Sequence, residues 1–359
     1  MLPKKSIAFT ALTCALLLAG SARADQTDSL KKGTPEIKSA GPLAFGPDGI
    51  LFVGDPRTAT IFAIDTGDRK AVGEGRPKVK EIDGEIASLL GIESKQLQIV
   101  DAAVNPLSGN TYLSVARGKG PDAKAVLLKV DRAGKVSEFA VKDVKFASAT
   151  LPNAPAEMKR VDAITHLGFA DGKVYVAGLS NEEFASKLRA IPFPFTDVDK
   201  GTSVEIFHGS HNKIETGSPV RTFATCDING EAHLLCAYTC TPLVKIPIKQ
   251  LEPGKKVKGT TIAELGNHNR PLDMVVYEKG GKEYILMANS DRGVMKIPTA
   301  GIDKAEAITE KVTDKAGLKY DTIDSLKGVV HLCRFDKDHA LLVIRTEGNN
   351  YNLETVELP

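Results

Sequence analysis

Tryptophan is absent from this 359-residue chain, and aromatic residues make up only 6% of it. That argues against a carbohydrate cleft built from stacked indole rings. An excess of one charge is also missing: lysine and arginine total 47 against 45 aspartate and glutamate. Without a basic surplus to neutralise phosphates, nucleic acid is not an expected partner. Beyond the N-terminus no run is long and apolar enough to cross a bilayer. There is no Cys-x-x-Cys-His, which excludes covalent c-type haem, and neither Gly-x-Ser-x-Gly nor a phosphate-binding glycine loop occurs. No motif names a reaction.

The N-terminus does carry a signal. Lys4 and Lys5 precede an uncharged, largely apolar run from Ile7 to Gly20, followed by Ala22-Arg23-Ala24. This is the pattern of a secretory signal peptide, with small residues at the cleavage point, so residues 1–24 are expected to be removed. Residues 25–359 are then expected to form one domain in the periplasm or outside the cell. Loss of Lys4, Lys5 and Arg23 brings the net charge from +2 to about −1.

Four cysteines follow residue 24: Cys226, Cys236, Cys240 and Cys333. An even number in an exported chain raises the question of disulfides. If Asn229-Gly230 is a two-residue hairpin turn, Cys226 faces His233 and Cys236 faces Phe223, which puts Cys226 and Cys236 on opposite sides of the sheet. Buried thiols acting as small apolar residues explain the set, with a Cys240–Cys333 bridge as the remaining alternative.

What the chain has in abundance is repetition. One five-residue phrase occurs six times: Ile61–Asp65, Leu127–Asp131, Leu188–Pro192, Leu243–Pro247, Val294–Pro298 and Thr355–Pro359, with starts 66, 61, 55, 51 and 61 residues apart. Each copy follows a β-rich run, as expected when one four-stranded unit is copied around an axis. Turn signals precede the second strand of each unit, at Asp48-Gly49, Ser108-Gly109, Asp171-Gly172, Asn229-Gly230, Gly280-Gly281 and Lys337-Asp338. The second strands, such as Ile50–Val53 and Lys173–Ala177, are apolar on both faces, as inner strands of stacked sheets must be.

The pattern predicts an all-β, six-bladed β-propeller of four-stranded antiparallel blades. Outer strands are expected at Lys78–Ile82, Val136–Val141, Ser203–Phe207, Thr260–Glu264 and Glu306–Val312. The sixth unit ends without one, and Pro35–Ser39 is expected to close the ring as an N-terminal strand. Short helical linkers are expected on one face, with a helix in 83–98 capped by Asp83 and an irregular segment over 143–161.

In that topology one face collects the entries to the first strands and the exits of the second. Near the first-strand starts lie Asp101, Asp162, His166, Arg221, Asp273 and His331; near the second-strand ends lie Arg57, Cys240, Asn289 and Arg292. Charged groups gathered at the narrow end of a ring must be solvated or paired, so a polar central funnel is expected, its carboxylates and arginines also serving to tie blades together. Asp101, His166, Arg221, Cys240, Asp273, Asn289, Arg292 and His331 are the candidate ligand-binding residues. His208-Gly-Ser-His211 has a spacing from which a loop holds a metal, provided three or four ligands converge. Cys240 would act as a nucleophile only beside a base or cation such as His268 or Arg292; a packed thiol explains it as well.

The six phrases, together with Pro47-Asp48-Gly49 leading into Ile50–Asp55, resemble secreted six-bladed propellers of the NHL and gluconolactonase-like type, and also a group of exported bacterial propellers without assigned activity. The resemblance covers nearly all of residues 25–359. Gluconolactonase-like enzymes hold a divalent metal in the central channel through a glutamate, an aspartate and asparagines. By location the resemblance implies Asp273 and Asn289 as metal ligands, with His331 beside them, while Gly41-Pro42 stands where those enzymes carry the glutamate. The expectation is a secreted propeller binding a small polar ligand or an exported protein partner at its channel mouth. The alternative is a metal-assisted hydrolase or lactonase in the same channel, with a divalent metal as cofactor; a third reading is a partner subunit of a haem or copper protein.

Overall fold

Each copy of the repeated phrase forms the third strand of an antiparallel sheet, and six such sheets make a six-bladed β-propeller. The computed structural model describes residues 25–240 and 242–359; the signal-peptide expectation lies outside the described residues. Among them, no helix is long and apolar enough to cross a membrane.

Local sequence explains the blades well. Asn229 (φ 54°) and Gly230 (φ 79°) take the two left-handed positions of a tight hairpin. Ile228 therefore pairs with Glu231, Cys226 with His233 and Phe223 with Cys236, the register read from the sequence. The four cysteines are free thiols. Second strands run at Ile50–Asp55, Thr111–Arg117, Lys173–Leu179, Glu231–Ala237, Lys282–Asn289 and His339–Arg345. Ile50–Asp55 is buried along its whole length, as a strand sandwiched between neighbouring blades must be.

We number the blades by their innermost strands: 1 (Leu43–Phe45), 2 (Leu97–Val104), 3 (His166–Ala170), 4 (Thr222–Ile228), 5 (Pro271–Lys279) and 6 (Val329–Arg334). Their order around the ring is not their order in the chain. Five apolar clusters fill the spaces between them. Phe52 and Ile61 of blade 1 pack with Val174 and Ile191 of blade 3. On its other side blade 1 packs through Leu51 and Ile64 against Tyr112 and Leu127 of blade 2, and blade 2 packs through Leu113 and Leu128 against Leu341 and Leu353 of blade 6. Two further clusters join blades 3, 4 and 5 and blades 5 and 6. The circuit is 1–3–4–5–6–2, with blades 1 and 2 interchanged.

The interchange redistributes the outer strands, correcting three sequence expectations. Lys78–Val79 completes blade 6 rather than blade 1, pairing with Leu353 and Glu354. Blade 1 is completed by Val144–Thr150, in the segment expected to be irregular, and Lys31–Gly33 adds a fifth strand outside it. Pro35–Ser39 is not a strand and closes nothing; Lys38 N and Ser39 Oγ instead donate to the Asp55 carboxylate at 2.7 and 2.5 Å. Val144–Thr150 fits its place because it offers apolar side chains to both neighbours, although Lys145, Ser148 and Thr150 stay exposed. Val144 and Phe146 pack in the cluster shared with blade 2, whereas Ala147 and Leu151 pack in the one shared with blade 3; Ala149, buried, is on the same side of the strand as Ala147.

Two smaller differences follow from hydrogen-bonding demand. Glu306–Val312 forms no strand; Asp321–Thr322 is the fourth strand of blade 5. The expected helix spans Ile82–Leu90 but begins after Glu81, and Asp83 does not cap it. Its carboxylate accepts from Tyr351 N at 2.8 Å, tying the helix to blade 6.

One glycine marks where a linker presses onto the sheet. A Cβ on Gly178 would stand 2.1 Å from the Ala163 carbonyl oxygen. Gly178→Ala should therefore cost about 1–3 kcal/mol, read as a lower urea midpoint. An unchanged midpoint would show that the linker into blade 3 is not held against that blade's second strand.

Candidate functional site

Three first strands carry a register shift at equivalent positions: between Ile99 and Asp101 in blade 2, Pro271 and Asp273 in blade 5, and Val329 and His331 in blade 6. A bulge inserts an unpaired residue and re-aims its neighbour's side chain. Here Val100, Leu272 and Val330 are the inserted residues, and Asp101, Asp273 and His331 follow them. Because blades 5, 6 and 2 are consecutive in the ring, the three polar side chains meet, with ligand-capable atoms within 4.8 Å of one another.

Each also reaches the next blade. Asp273 Oδ2 accepts from Leu332 N of blade 6 at 3.1 Å. His331 Nε2 lies 3.3 Å from the Ile99 carbonyl of blade 2, and Asp101 Oδ2 accepts from Leu43 N of blade 1 at 2.6 Å. His331 Nδ1 faces Asp273 Oδ2 at 3.3 Å and Asp101 Oδ1 at 3.9 Å. Half of the ring is thus stitched by the same side chains that form the floor of the channel.

The electrostatics of the site favour retained protons on Asp101 and His331. Burial and then repulsion from Asp273 raise the Asp101 carboxyl to about 7, against the pull of His331 and of the backbone N–H groups of Leu43 and Ala102. For His331 burial alone would lower the pKa, but acceptors at both ring nitrogens outweigh it and the net shift is upward. His166, across the channel with its ring edge-on to Phe223 at 4.7 Å, is pushed down by burial.

Above the trio opens a cavity of about 1430 Å³ on the face that the strand order indicated, lined by linkers into first strands and by hairpins after second strands. It exceeds the roughly 300–1,000 Å³ of a typical small-molecule site. Its wall is basic. Arg221 Nη1 is paired with Asp162 Oδ1 at 2.8 Å, and Arg270 sits close enough to be shifted down, first by burial and then by the Arg221 charge. Arg57 and Arg160 also line the cavity, Arg160 donating to the Pro155 and Arg57 carbonyls.

Of the eight candidate residues, Asp101, His166, Arg221, Asp273 and His331 line this cavity, and Asn289, Arg292 and Cys240 do not. Asn289, expected beside Asp273 as a metal ligand, is spent on its own hairpin. Its Nδ2 donates to Asn269 Oδ1, and its Oδ1 accepts from the backbone of Asp291 and Arg292. The Arg292 guanidinium turns to Asn267 O and Asp314. Cys240 joins His208 and His211 instead. Arg160 and Arg270 were missed by sequence reading. The available signal was position: Arg270 immediately precedes the first strand of blade 5, as Arg221 precedes that of blade 4.

No protein-family model matches the chain, and no curated protein sequence matches it. Among solved structures it is similar to the PQQ-bound aldose sugar dehydrogenase of Streptomyces coelicolor, at 14% identity over 91% of this chain and 96% of that one, with a TM-score of 0.36. A glucose dehydrogenase matches at 11% identity over 92% of this chain and 100% of that one (TM-score 0.39). The WD40 propeller domain of Doa1 matches at 8% identity over 91% and 96% (TM-score 0.33). At such distances the activities in those names stay with those proteins.

Proposed function

We propose that this protein is an exported binding propeller whose channel mouth takes a small polar ligand carrying an anionic group. The observation that supports this reading is the charge arrangement: Arg270 beside Arg221, with Asp162 already paired to Arg221, on the wall above a floor of two carboxylates and an imidazole. Two guanidinium groups sharing one carboxylate leave room for a further anion, and guanidinium–carboxylate pairing is strong and directional. The floor, rich in hydroxyl-accepting carboxylate oxygens, would hold the polar remainder. The N-terminal pattern of residues 1–24 supports export.

Isothermal titration with a panel of small hydroxy acids, sugar acids and sugar phosphates tests the reading. One class should bind, and Arg270→Ala should weaken it about 10- to 100-fold, as expected for loss of a charge-assisted contact. His233→Ala and His339→Ala, at the opposite face, should leave the affinity intact. No binding across the panel, or equal losses from both sets of variants, would overturn it.

A second reading, a metal-assisted hydrolase, is favoured by the convergence of Asp101, Asp273 and His331. These residues would hold a divalent cation through two carboxylates and one imidazole, an oxygen-rich set suited to harder ions. Bound there, such an ion supplies polarisation of a carbonyl oxygen. The gluconolactonase-like glutamate and asparagine positions are filled by Gly41-Pro42 and by the committed Asn289, so the metal set would be this chain's own. Elemental analysis of protein purified without chelator decides: near-stoichiometric calcium, magnesium or manganese, lost in Asp273→Asn, would support it, and a folded, metal-free channel would remove it.

A further inference from the structure

We propose that His208, His211 and Cys240 form a second metal site, separate from the channel, for a thiophilic divalent ion of the zinc class. Their ligand-capable atoms lie within 4.8 Å of one another, and none of the three lines the central cavity. His208 ends the outer strand of blade 3, Thr202–His208, and His211 closes the single turn that follows. Cys240 comes from blade 4, in the hairpin between Glu231–Ala237 and Pro242–Pro247. It is held in the left-handed region (φ 61°), with its N–H bonded to Asn269 O.

The supporting groups are those a metal site requires. Glu215 faces both imidazoles, at 3.1 Å from His208 Nδ1 and 2.8 Å from His211 Nδ1, leaving Nε2 of each ring as the coordinating nitrogen. A carboxylate behind a histidine fixes its tautomer and orientation in this way at most protein metal centres. Ser218 Oγ also donates to the Glu215 carboxylate, holding it in place behind the two rings. Lys213 also reaches Glu215, at 3.4 Å. The His208 side chain is only 2% exposed, and neither of its ring nitrogens makes a well-aligned hydrogen bond among the described residues, Glu215 meeting Nδ1 as an ion-pair contact alone. A buried polar atom left unpaired is costly unless something binds it.

Two neutral imidazoles and a thiolate select zinc-class ions over calcium or magnesium. Donor atoms around tetrahedral zinc stand about 3.3–3.8 Å apart, and ligand-capable atoms of these three side chains already lie within 4.8 Å of one another. On binding, the Cys240 thiol gives its proton to solvent, the sulfur–metal bond forms, and the fourth position is left to water. The site would clamp blade 3 to blade 4.

Cobalt(II) titration of the full exported chain, stripped with chelator, is the test. Uptake of one ion with a sulfur-to-cobalt charge-transfer band, bleached by added zinc, is expected. Cys240→Ser should abolish the band, and the half-exposed His211→Asn should weaken uptake at least tenfold, both with unchanged circular dichroism. Asp101→Asn should leave the band intact, since the channel offers no thiolate. Absence of the band in the wild type, or its persistence in Cys240→Ser, would overturn the proposal without touching the channel reading.

Discussion

Ala149→Pro should destabilise the protein by about 3 kcal/mol or more, although sequence reading places residue 149 in a linker. Leu151 N donates to Ala59 O, and Ala149 pairs with Ile61 in the same register. Side-to-side alternation therefore points the Ala149 N–H at blade 1. Proline there removes a ladder bond and forces a ring into a position that is only 4% exposed. Ser148→Pro is the contrasting variant. Its N–H points away from Ile61–Asp65, and Lys31–Gly33 pairs only with residues 144–146. Proline is tolerated on such an unpaired edge, so the loss should be small. Urea midpoints of the two variants measure the difference, and equal effects would mean that residues 144–150 do not complete blade 1.

The second large effect is on pH dependence. Asp101 carries a folded-state pKa of about 7 against 3.8 for the free group, so between these values the native state binds the proton more tightly than the unfolded chain does. Stability is therefore lost as pH rises from about 4 through 7. His331 adds to the same trend: its folded pKa is raised above 6.5, and its contribution, full below that value, disappears as pH rises through the folded pKa. The wild type, with chelator present, should be less stable at pH 8 than at pH 5 by an amount on the order of a few kcal/mol. Asp101→Asn mimics the protonated acid and should flatten the decline between pH 4 and 7. A wild type that gains stability from pH 5 to 8, or a variant with an unaltered slope, would contradict proton retention by Asp101 and His331.

How much of this was legible in the sequence varied with the range of the interaction. Hairpins and third strands were readable because their determinants are local: a turn pair such as Asn229-Gly230 and a run of apolar residues ending in proline. Ring order was not, because Val144–Thr150 and Lys78–Val79 pair with strands far away in the chain, and nothing local names a partner. The strand at 144–150 did leave a trace. Val144 and Phe146 alternate with Ala147, Ala149 and Leu151, a period of two that the nearby Pro152 and Pro155 obscured. In the channel, Asp101, Asp273 and His331 were found by location alone. Their convergence depends on three bulges that no turn residue announces, and on the interchange that makes blades 5, 6 and 2 neighbours. Asn289 misled because the end of a second strand is also where a hairpin needs its own side-chain acceptor.

The interchange of blades 1 and 2 also bears on how such a chain is made and how it can change. Lys78–Val79 is synthesised early but has no partner until Leu353 and Glu354 arrive, and blade 1 stays open until residue 150 has been added. Blades 1 and 6 cannot mature in their turn as the chain emerges, and closure must wait for residues 353 and 354, a high-contact-order route with exposed edges along the way. At the interchange, the smallest portion that could be duplicated or lost is for the same reason larger than a blade. Unit 1 cannot leave without opening blade 6, and residues 144–150, which follow unit 2, cannot leave with it without opening blade 1.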